Sequence, residues 1–164
     1  WCGAASTGQE PYMLAMLLRD FFGFEEKPWD TKVLATDVST KALQHAGKGI
    51  YEREQVIELL PHWKHQYMHL TEGGTQYEMN PEIKEQILFR QFNLMDTFPF
   101  KRKMHIIFLR NVMIYFDKET KRELIQKIYD VMEPGGYLFV GRTETIDRGN
   151  LPFELIYPSV FRKK

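Results

Sequence analysis

Glu10 closes a run of small residues, Gly3-Ala4-Ala5-Ser6-Thr7-Gly8-Gln9, and stands directly before Pro11. Asp37 closes a short apolar run, Val33-Leu34-Ala35-Thr36. An ionised carboxylate only accepts hydrogen bonds, so both positions suit ammonium and hydroxyl groups and repel phosphate. Proline fits the first turn of a helix, where its missing N–H would be unpaired anyway. Residues 12–22 are amphipathic and end at Gly23, which suits a left-handed stop. A small-residue loop therefore feeds a helix N-terminus and lets a ligand approach the backbone. Such a terminus normally attracts phosphate, yet Glu10 occupies that place. The chain has no Gly-x-Gly-x-x-Gly and no Gly-Lys-Ser/Thr. A cofactor with an adenosine end and a cationic amino-acid end fits better, which points to S-adenosylmethionine. The competing reading is that Glu10 only caps the helix and the small residues only make a tight turn.

The elements that must position these residues follow a strand–helix rhythm. Residues 32–37 read as a short buried strand, and Ser39 caps a helix over 40–47. An acid at the end of a second strand is placed to accept hydrogen bonds from ribose hydroxyls, although a turn aspartate before a helix would look the same. A polar turn over 25–30 joins the first helix to this strand. Residues 49–51 are an extended exit, and a helix over 52–60 is expected to stop at Pro61. Three short candidate strands follow, over 66–70, 76–79 and 87–92, with a turn at 71–75. They predict a small antiparallel meander, an inserted β-subdomain over 66–92, that either recognises a partner or shields a sheet edge.

Lys101-Arg102-Lys103 reads as a solvated loop, with an acidic partner as the alternative. Met104-His105-Ile106-Ile107-Phe108-Leu109 is the best strand in the chain. Asp117 caps a helix over 118–132 with apolar residues at Leu124, Ile125, Ile128, Val131 and Met132. Pro134-Gly135-Gly136 is expected to stop it before a strand over 137–140. Residues 153–157 and 159–162 form a closing antiparallel pair around Pro158. The pattern is α/β, in the manner of a doubly wound sheet.

The totals bound the function. The 164 residues suffice for one domain with a real core. Lys plus Arg number 22, as do Asp plus Glu, so the net charge is zero with His neutral. That gives no global reason to expect nucleic acid or an anionic membrane as partner. The single cysteine, Cys2, excludes an internal disulfide and a cysteine metal cluster, and suits a reducing compartment. His62, His65 and His69 have no carboxylate or cysteine at ligand spacing and are read as surface or structural, so no metal is expected. No apolar run approaches membrane-spanning length, and membrane insertion is not expected. Only Trp1-Cys2 stands where a first strand should precede the loop, so the chain is expected to be a piece that lacks N-terminal material.

Several stretches together resemble a known family. They are Ala4 through Tyr12 as Ala-Ala-Ser-Thr-Gly-Gln-Glu-Pro-Tyr, Ala35-Thr36-Asp37, Gly49-Ile50-Tyr51, Phe92-Asn93-Leu94, Arg110-Asn111-Val112-Met113-Ile114-Tyr115-Phe116, Pro134-Gly135-Gly136-Tyr137-Leu138 and Tyr157-Pro158-Ser159-Val160-Phe161-Arg162-Lys163. In this order they look like chemotaxis receptor methyltransferases of the CheR type, along essentially the whole chain. The resemblance implies a Rossmann-like S-adenosylmethionine-dependent methyltransferase domain over 1–164 with the small β-subdomain inserted. It implies methylation of glutamate side chains in the cytoplasmic helical region of methyl-accepting chemotaxis receptors. The products would be glutamate methyl esters and S-adenosylhomocysteine, in a cytoplasmic enzyme.

Carried over by position, Glu10 and Asp37 would hold the cofactor's amino-acid and ribose parts. Asn93 and Leu94 would line the adenine region, Asn111 and Val112 would contact the cofactor, and Tyr115 would sit close to the transferred methyl group. Family members also carry an N-terminal helical domain with a catalytic-site arginine, and nothing here corresponds to it. Gly141-Arg142-Thr143-Glu144 stands where Gly-His-Ser-Glu is more usual, which weakens any role for Arg142. The turn at 71–75 is short for docking a receptor's C-terminal pentapeptide. A carboxylate is already ionised near neutral pH, so methyl transfer to it needs no general base and no catalytic dyad. The alternative is a non-catalytic S-adenosylmethionine-binding sensor or adaptor of the same fold. A nucleotide-dependent dehydrogenase is disfavoured by Glu10 and the missing glycine fingerprint, and a nucleic-acid methyltransferase by the neutral charge.

Overall fold

A computed structural model describes residues 1–23, 29–146, 149 and 151–164. Of the expected polar turn, residues 25–28 lie outside the described residues. The chain divides into two compact units, residues 5–91 and residues 1–4 with 92–164.

In the first unit, α1 spans Gln9–Phe22 and buries Pro11, Tyr12, Ala15 and Met16 on one stripe. It ends where Gly23, at φ 73°, returns its N–H to the Arg19 carbonyl at 2.8 Å. β1 (Val33–Asp37) follows, and then α2 (Thr40–Lys48), whose cap Ser39 accepts the Ala42 N–H at 3.2 Å. β2 (Ile50–Glu52) leads into a 3-10 turn at Arg53–Val56. The expected helix over 52–60 is thus cut to one turn. Pro61 does not stop a helix but begins one, α3 (Pro61–Tyr67), because its missing N–H costs nothing at the first helical position.

β3 (Met68–Leu70) and β4 (Gln76–Met79) pair antiparallel as expected. The third strand of this small sheet is β2, paired with β4 in the order β2-β4-β3. The residues expected to complete the meander do something else. α4 (Pro81–Lys84) intervenes, and β5 (Ile87–Gln91) runs parallel to β1, with Val33 opposite Ile87 and Asp37 opposite Gln91. Ile87 and Val33, opposite each other in this pairing, are both buried.

A polar cluster ties α3 to α1. Asp20 accepts from the Tyr67 hydroxyl at 2.6 Å and from Trp63 Nε1 at 2.5 Å, and His62 Nε2 lies 3.5 Å away. The Tyr67 and Trp63 donors hold the Asp20 carboxyl below the usual range. Burial, followed by the Asp20 bond, pushes the Tyr67 phenol up to about 12. His69 pairs with Glu78 at 3.7 Å, and no group of three metal-capable side chains occurs among the described residues.

In the second unit, β6 (Met104–Leu109) is the strand the sequence predicts. Trp1–Gly3 lie alongside it: the Trp1 nitrogen donates to the Ile106 carbonyl at 2.8 Å, Phe108 N to Trp1 O, and Gly3 N to Phe108 O. The sheet order is β6-β7-β9-β8, with β6 and β7 parallel and the rest antiparallel. α5 (Lys118–Val131) starts where Asp117 accepts the Glu119 and Thr120 N–H groups at 2.9 and 3.0 Å. It buries Leu124, Ile125 and Ile128, each contributing roughly 1.5–3 kcal/mol.

The helix ends before Pro134, and β7 (Met132–Val140) already includes Pro134-Gly135-Gly136. The register against β6 shifts there, from Met104 opposite Met132 to Ile106 opposite Tyr137. Gly136 fills the irregularity: a Cβ would meet the carbonyls of Glu133 at 2.9 Å and His105 at 3.0 Å. β8 (Phe153–Tyr157) and β9 (Val160–Lys163) close the unit as the expected antiparallel pair. Lys163 is buried and donates to the carbonyls of Tyr129 at 2.6 Å and Met132 at 3.0 Å, satisfying the end of α5.

Candidate functional site

The expected site residues divide between the two units, Glu10 and Asp37 in one and Asn93, Leu94, Asn111, Val112 and Tyr115 in the other.

In residues 5–91 the small-residue loop is held from several sides. Ala5 N donates to the Thr36 carbonyl at 2.8 Å, and Gly8 N to the Ala5 carbonyl at 3.0 Å. Asp37 Oδ2 accepts the Ser6 N–H at 2.8 Å, while Oδ1 accepts the Ser39 N–H at 2.9 Å. Ser6 sits at φ 48°, in the left-handed region that a side chain seldom adopts without such support. Asp37 is half-buried, and each oxygen retains a lone pair for a ligand. The competing description of Asp37, a turn aspartate, is therefore also true of it: one carboxylate fixes the loop and remains available.

Gly8 is required by space and by φ. It lies at φ 97°, and a Cβ would meet Tyr51 Oη at 2.7 Å and Ala46 Cβ at 2.8 Å. Tyr51 is a site residue the sequence reading missed. Its hydroxyl donates to the Thr7 carbonyl at 2.8 Å, and burial pushes its phenol far above the ordinary tyrosine range, so it stays a donor. The signals available were its extended segment, which carries no period, and its place in the Gly49-Ile50-Tyr51 stretch, which assigns it no role. Glu10 is half-buried in the first turn of α1, two residues after Gly8. Its carboxylate complements the positive end of the helix and suits a cationic group there.

In the second unit, Asn93 and Leu94 sit on a turn: Asn93 Oδ1 accepts the Met95 N–H and its carbonyl accepts the Asp96 N–H, both at 3.0 Å. Leu94 is buried. A Cβ on Gly3 would approach Leu109 Cδ1 to 3.1 Å and Leu94 Cδ2 to 3.6 Å, so Gly3 lets both leucines close in at the end of β6. Asn111, Val112 and Tyr115 share the segment that leaves β6. Asn111 is exposed at φ 56°, Val112 is half-buried, and Tyr115 belongs to a 3-10 turn at Met113–Tyr115. Tyr115 is 78% exposed rather than packed at a sheet edge.

The residue that shapes this segment is Glu144, named above in the Gly141–Glu144 stretch but assigned no role there. It is only 7% exposed, and its two oxygens accept three backbone N–H groups, from Asn111 at 2.8 Å, Met113 at 2.7 Å and Gly141 at 2.7 Å. Arg142 and Thr143, where the sequence departs from the family pattern, are exposed, while Gly141 and Glu144 make the contacts. The spacing Gly-x-x-Glu was the available signal, and two of its three partners lie more than thirty residues upstream.

Acceptor-only carboxylates at the start of α1 and at the end of β1 are the donor set's counterpart to an ammonium group and vicinal hydroxyls. The residues present therefore fit the amino-acid and ribose parts of S-adenosylmethionine. They do not fit a pyrophosphate.

Comparison with known proteins agrees with this chemistry. The family described as "CheR methyltransferase, SAM binding domain" matches residues 1–160. A chemotaxis protein methyltransferase of Borreliella burgdorferi is 37% identical over 99% of this chain and 57% of its own length. One of Escherichia coli is 34% identical over 98% of this chain and 57% of its own length. The chain thus spans a little over half the length of these relatives. Among solved structures, the glycopeptide N-methyltransferase MtfA complexed with S-adenosylmethionine superposes with a TM-score of 0.51 at 16% identity, covering 85% of this chain and 41% of that one. The CcbJ methyltransferase of Streptomyces caelestis gives 0.52 at 13% identity, covering 85% and 43%. These two likenesses show the Rossmann-like methyltransferase fold. No helix among the described residues is long and apolar enough to cross a membrane. On the match along nearly its whole length, the chain belongs to the family of CheR methyltransferases, as their S-adenosylmethionine-binding domain.

Proposed function

We propose that this chain is the S-adenosylmethionine-binding part of a cytoplasmic protein-glutamate O-methyltransferase that esterifies the helical cytoplasmic region of chemotaxis receptors. The observation that carries the reading is the family match over residues 1–160, with Glu10 and Asp37 at the start of α1 and the end of β1. Glu10 takes the ammonium end of the cofactor, Asp37 the ribose hydroxyls, Asn93 and Leu94 the adenine, and Asn111 and Val112 the remaining cofactor contacts. When bound, the cofactor supplies an electrophilic methyl group on a sulfonium.

The acceptor is a glutamate carboxylate, ionised at neutral pH with an ordinary value of about 4.3. Transfer of that methyl group to a carboxylate oxygen would leave the carbon–sulfur bonding pair on sulfur. No proton moves. The protein's task is to align three atoms and to exclude water from the carboxylate. Tyr115 donates its hydroxyl to orient that carboxylate. The domain's role in catalysis is therefore positioning, which accords with polar groups that are fixed by backbone hydrogen bonds.

The test is calorimetric titration of S-adenosylhomocysteine into the chain and into Glu10→Ala and Asp37→Ala. Binding weakened about tenfold or more by each change is the expected result, in line with charge-assisted bonds of about 1.5–3 kcal/mol. Methyl transfer is then assayed on the full-length protein with receptor, with the product identified as an alkali-labile glutamate ester. Failure of the full-length protein to bind the cofactor would overturn the reading. Binding without transfer would make the protein a sensor or adaptor instead.

A further inference from the structure

We infer that Glu144 is a positioning residue: its buried carboxylate presets the Asn111–Tyr115 segment for cofactor and substrate. The consequence for binding rests on the cofactor reading above; the clamp itself rests on geometry. A buried carboxylate is costly unless its oxygens are fully engaged. Here Oε2 takes the Asn111 and Gly141 N–H groups and Oε1 takes that of Met113, all between 2.7 and 2.8 Å. Bonds to an ionised acceptor are roughly twice as strong as neutral ones. They hold Asn111 in the left-handed region at φ 56°.

Gly141 makes the arrangement possible. A Cβ there would lie 2.5 Å from Asn111 Oδ1 and 2.6 Å from Glu144 Oε2. The Asn111 side chain is thereby seated against Gly141, with its direction fixed along with its backbone. Glu144 N–H in turn donates to the Gly141 carbonyl at 3.0 Å, so the four-residue turn closes on itself and aims its carboxylate at the other segment. Tyr115 lies two residues beyond the last clamped amide, that of Met113, which anchors the 3-10 turn carrying the exposed ring. Glu144 therefore acts through Asn111 and Tyr115 without itself facing solvent.

The amide side chain of Glu144→Gln has the same shape but sets a donor against at least one N–H, so one or more bonds of the clamp fail. Backbone exchange and S-adenosylhomocysteine titration are measured on the whole chain, on Glu144→Gln and on Ile128→Val, a core change in α5 of the same unit. We expect the Asn111, Met113 and Gly141 amides of Glu144→Gln to exchange at least tenfold faster, and its affinity to fall at least tenfold. Ile128→Val loses stability yet keeps its affinity, which separates positioning from general loosening. Unchanged affinity in Glu144→Gln overturns the positioning role. If the unsubstituted chain does not bind, the titration moves to the full-length protein, whose failure to bind overturns the cofactor reading, and exchange decides the clamp: unchanged rates at the three amides overturn it. Should Glu144→Gln not fold, Gly141→Ala is the second variant. It keeps the carboxylate, crowds Asn111, and is expected to weaken binding similarly; full affinity there overturns the proposal.

Discussion

The two loops are built with one device and put to different use. In each unit a residue other than glycine sits at positive φ, Ser6 at 48° and Asn111 at 56°, and a distant carboxylate accepts its N–H at 2.8 Å. The difference lies in what else the carboxylate does. Asp37 accepts two amides and is half-buried, so it keeps lone pairs for a ligand. Glu144 accepts three and is buried, so little of it is left over. Exposure, rather than residue type or backbone geometry, separates a carboxylate that builds and stays open from one that only builds.

Gly8→Ala would break the comparison most severely on the side of residues 5–91. The added methyl meets Tyr51 and Ala46 at φ 97°, and steric and backbone costs together reach about 3 kcal/mol, read as a lower urea midpoint. The isosteric pair sharpens it. Glu144→Gln should cost about 2 kcal/mol, because a buried donor is left unpaired. Asp37→Asn should cost under about 1 kcal/mol, because water can replace the lost partner, while still weakening S-adenosylhomocysteine about tenfold. Equal losses of stability in thermal melts would mean that exposure does not distinguish them. Tyr51→Phe removes the bond to Thr7 and should cost about 1 kcal/mol with the fold unchanged in circular dichroism.

Asp20 gives a third carboxylate, whose partners among the described residues are the side chains of Tyr67, Trp63 and His62. Its folded value is held below the ordinary one by Tyr67 first and Trp63 next. Its stabilising contribution is therefore present above an unfolded value of about 3.9 and is lost as pH falls through the lower folded value. Asp20→Asn should flatten the acid limb of the stability curve in that window and leave the cofactor titration unchanged.

Much of this arrangement could be read from residue types. The end of α1, the strand ending at Asp37, β6 and the Asp117 cap were legible because caps and apolar spacing are local signals, whereas α1 begins at Gln9, earlier than expected. Pro61 was not, since proline begins a helix as readily as it follows one. The partner of Ile87–Gln91 was not, because alternation marks a strand but does not name its neighbour. β7 was expected to begin after Gly136, yet the pairing tolerates an irregularity that the glycine makes room for. The clamp made by Glu144 was not legible from its own stretch, because two of its partners lie 31 and 33 positions away along the chain.

The Lys163 ammonium, which caps the carbonyls of Tyr129 and Met132 from β9, has a consequence for the order of events during synthesis. A ribosome delivers α5 some thirty residues before it delivers the cation that completes the helix end. Until then those carbonyls must be hydrated, and the last turn of α5 has no reason to outlast the rest of the helix. Pulse-labelled refolding should find the last-turn amides of α5 becoming protected together with β9 rather than with the helix's own first turn. The helix begins at once on Asp117 but is finished only by a residue translated long after it.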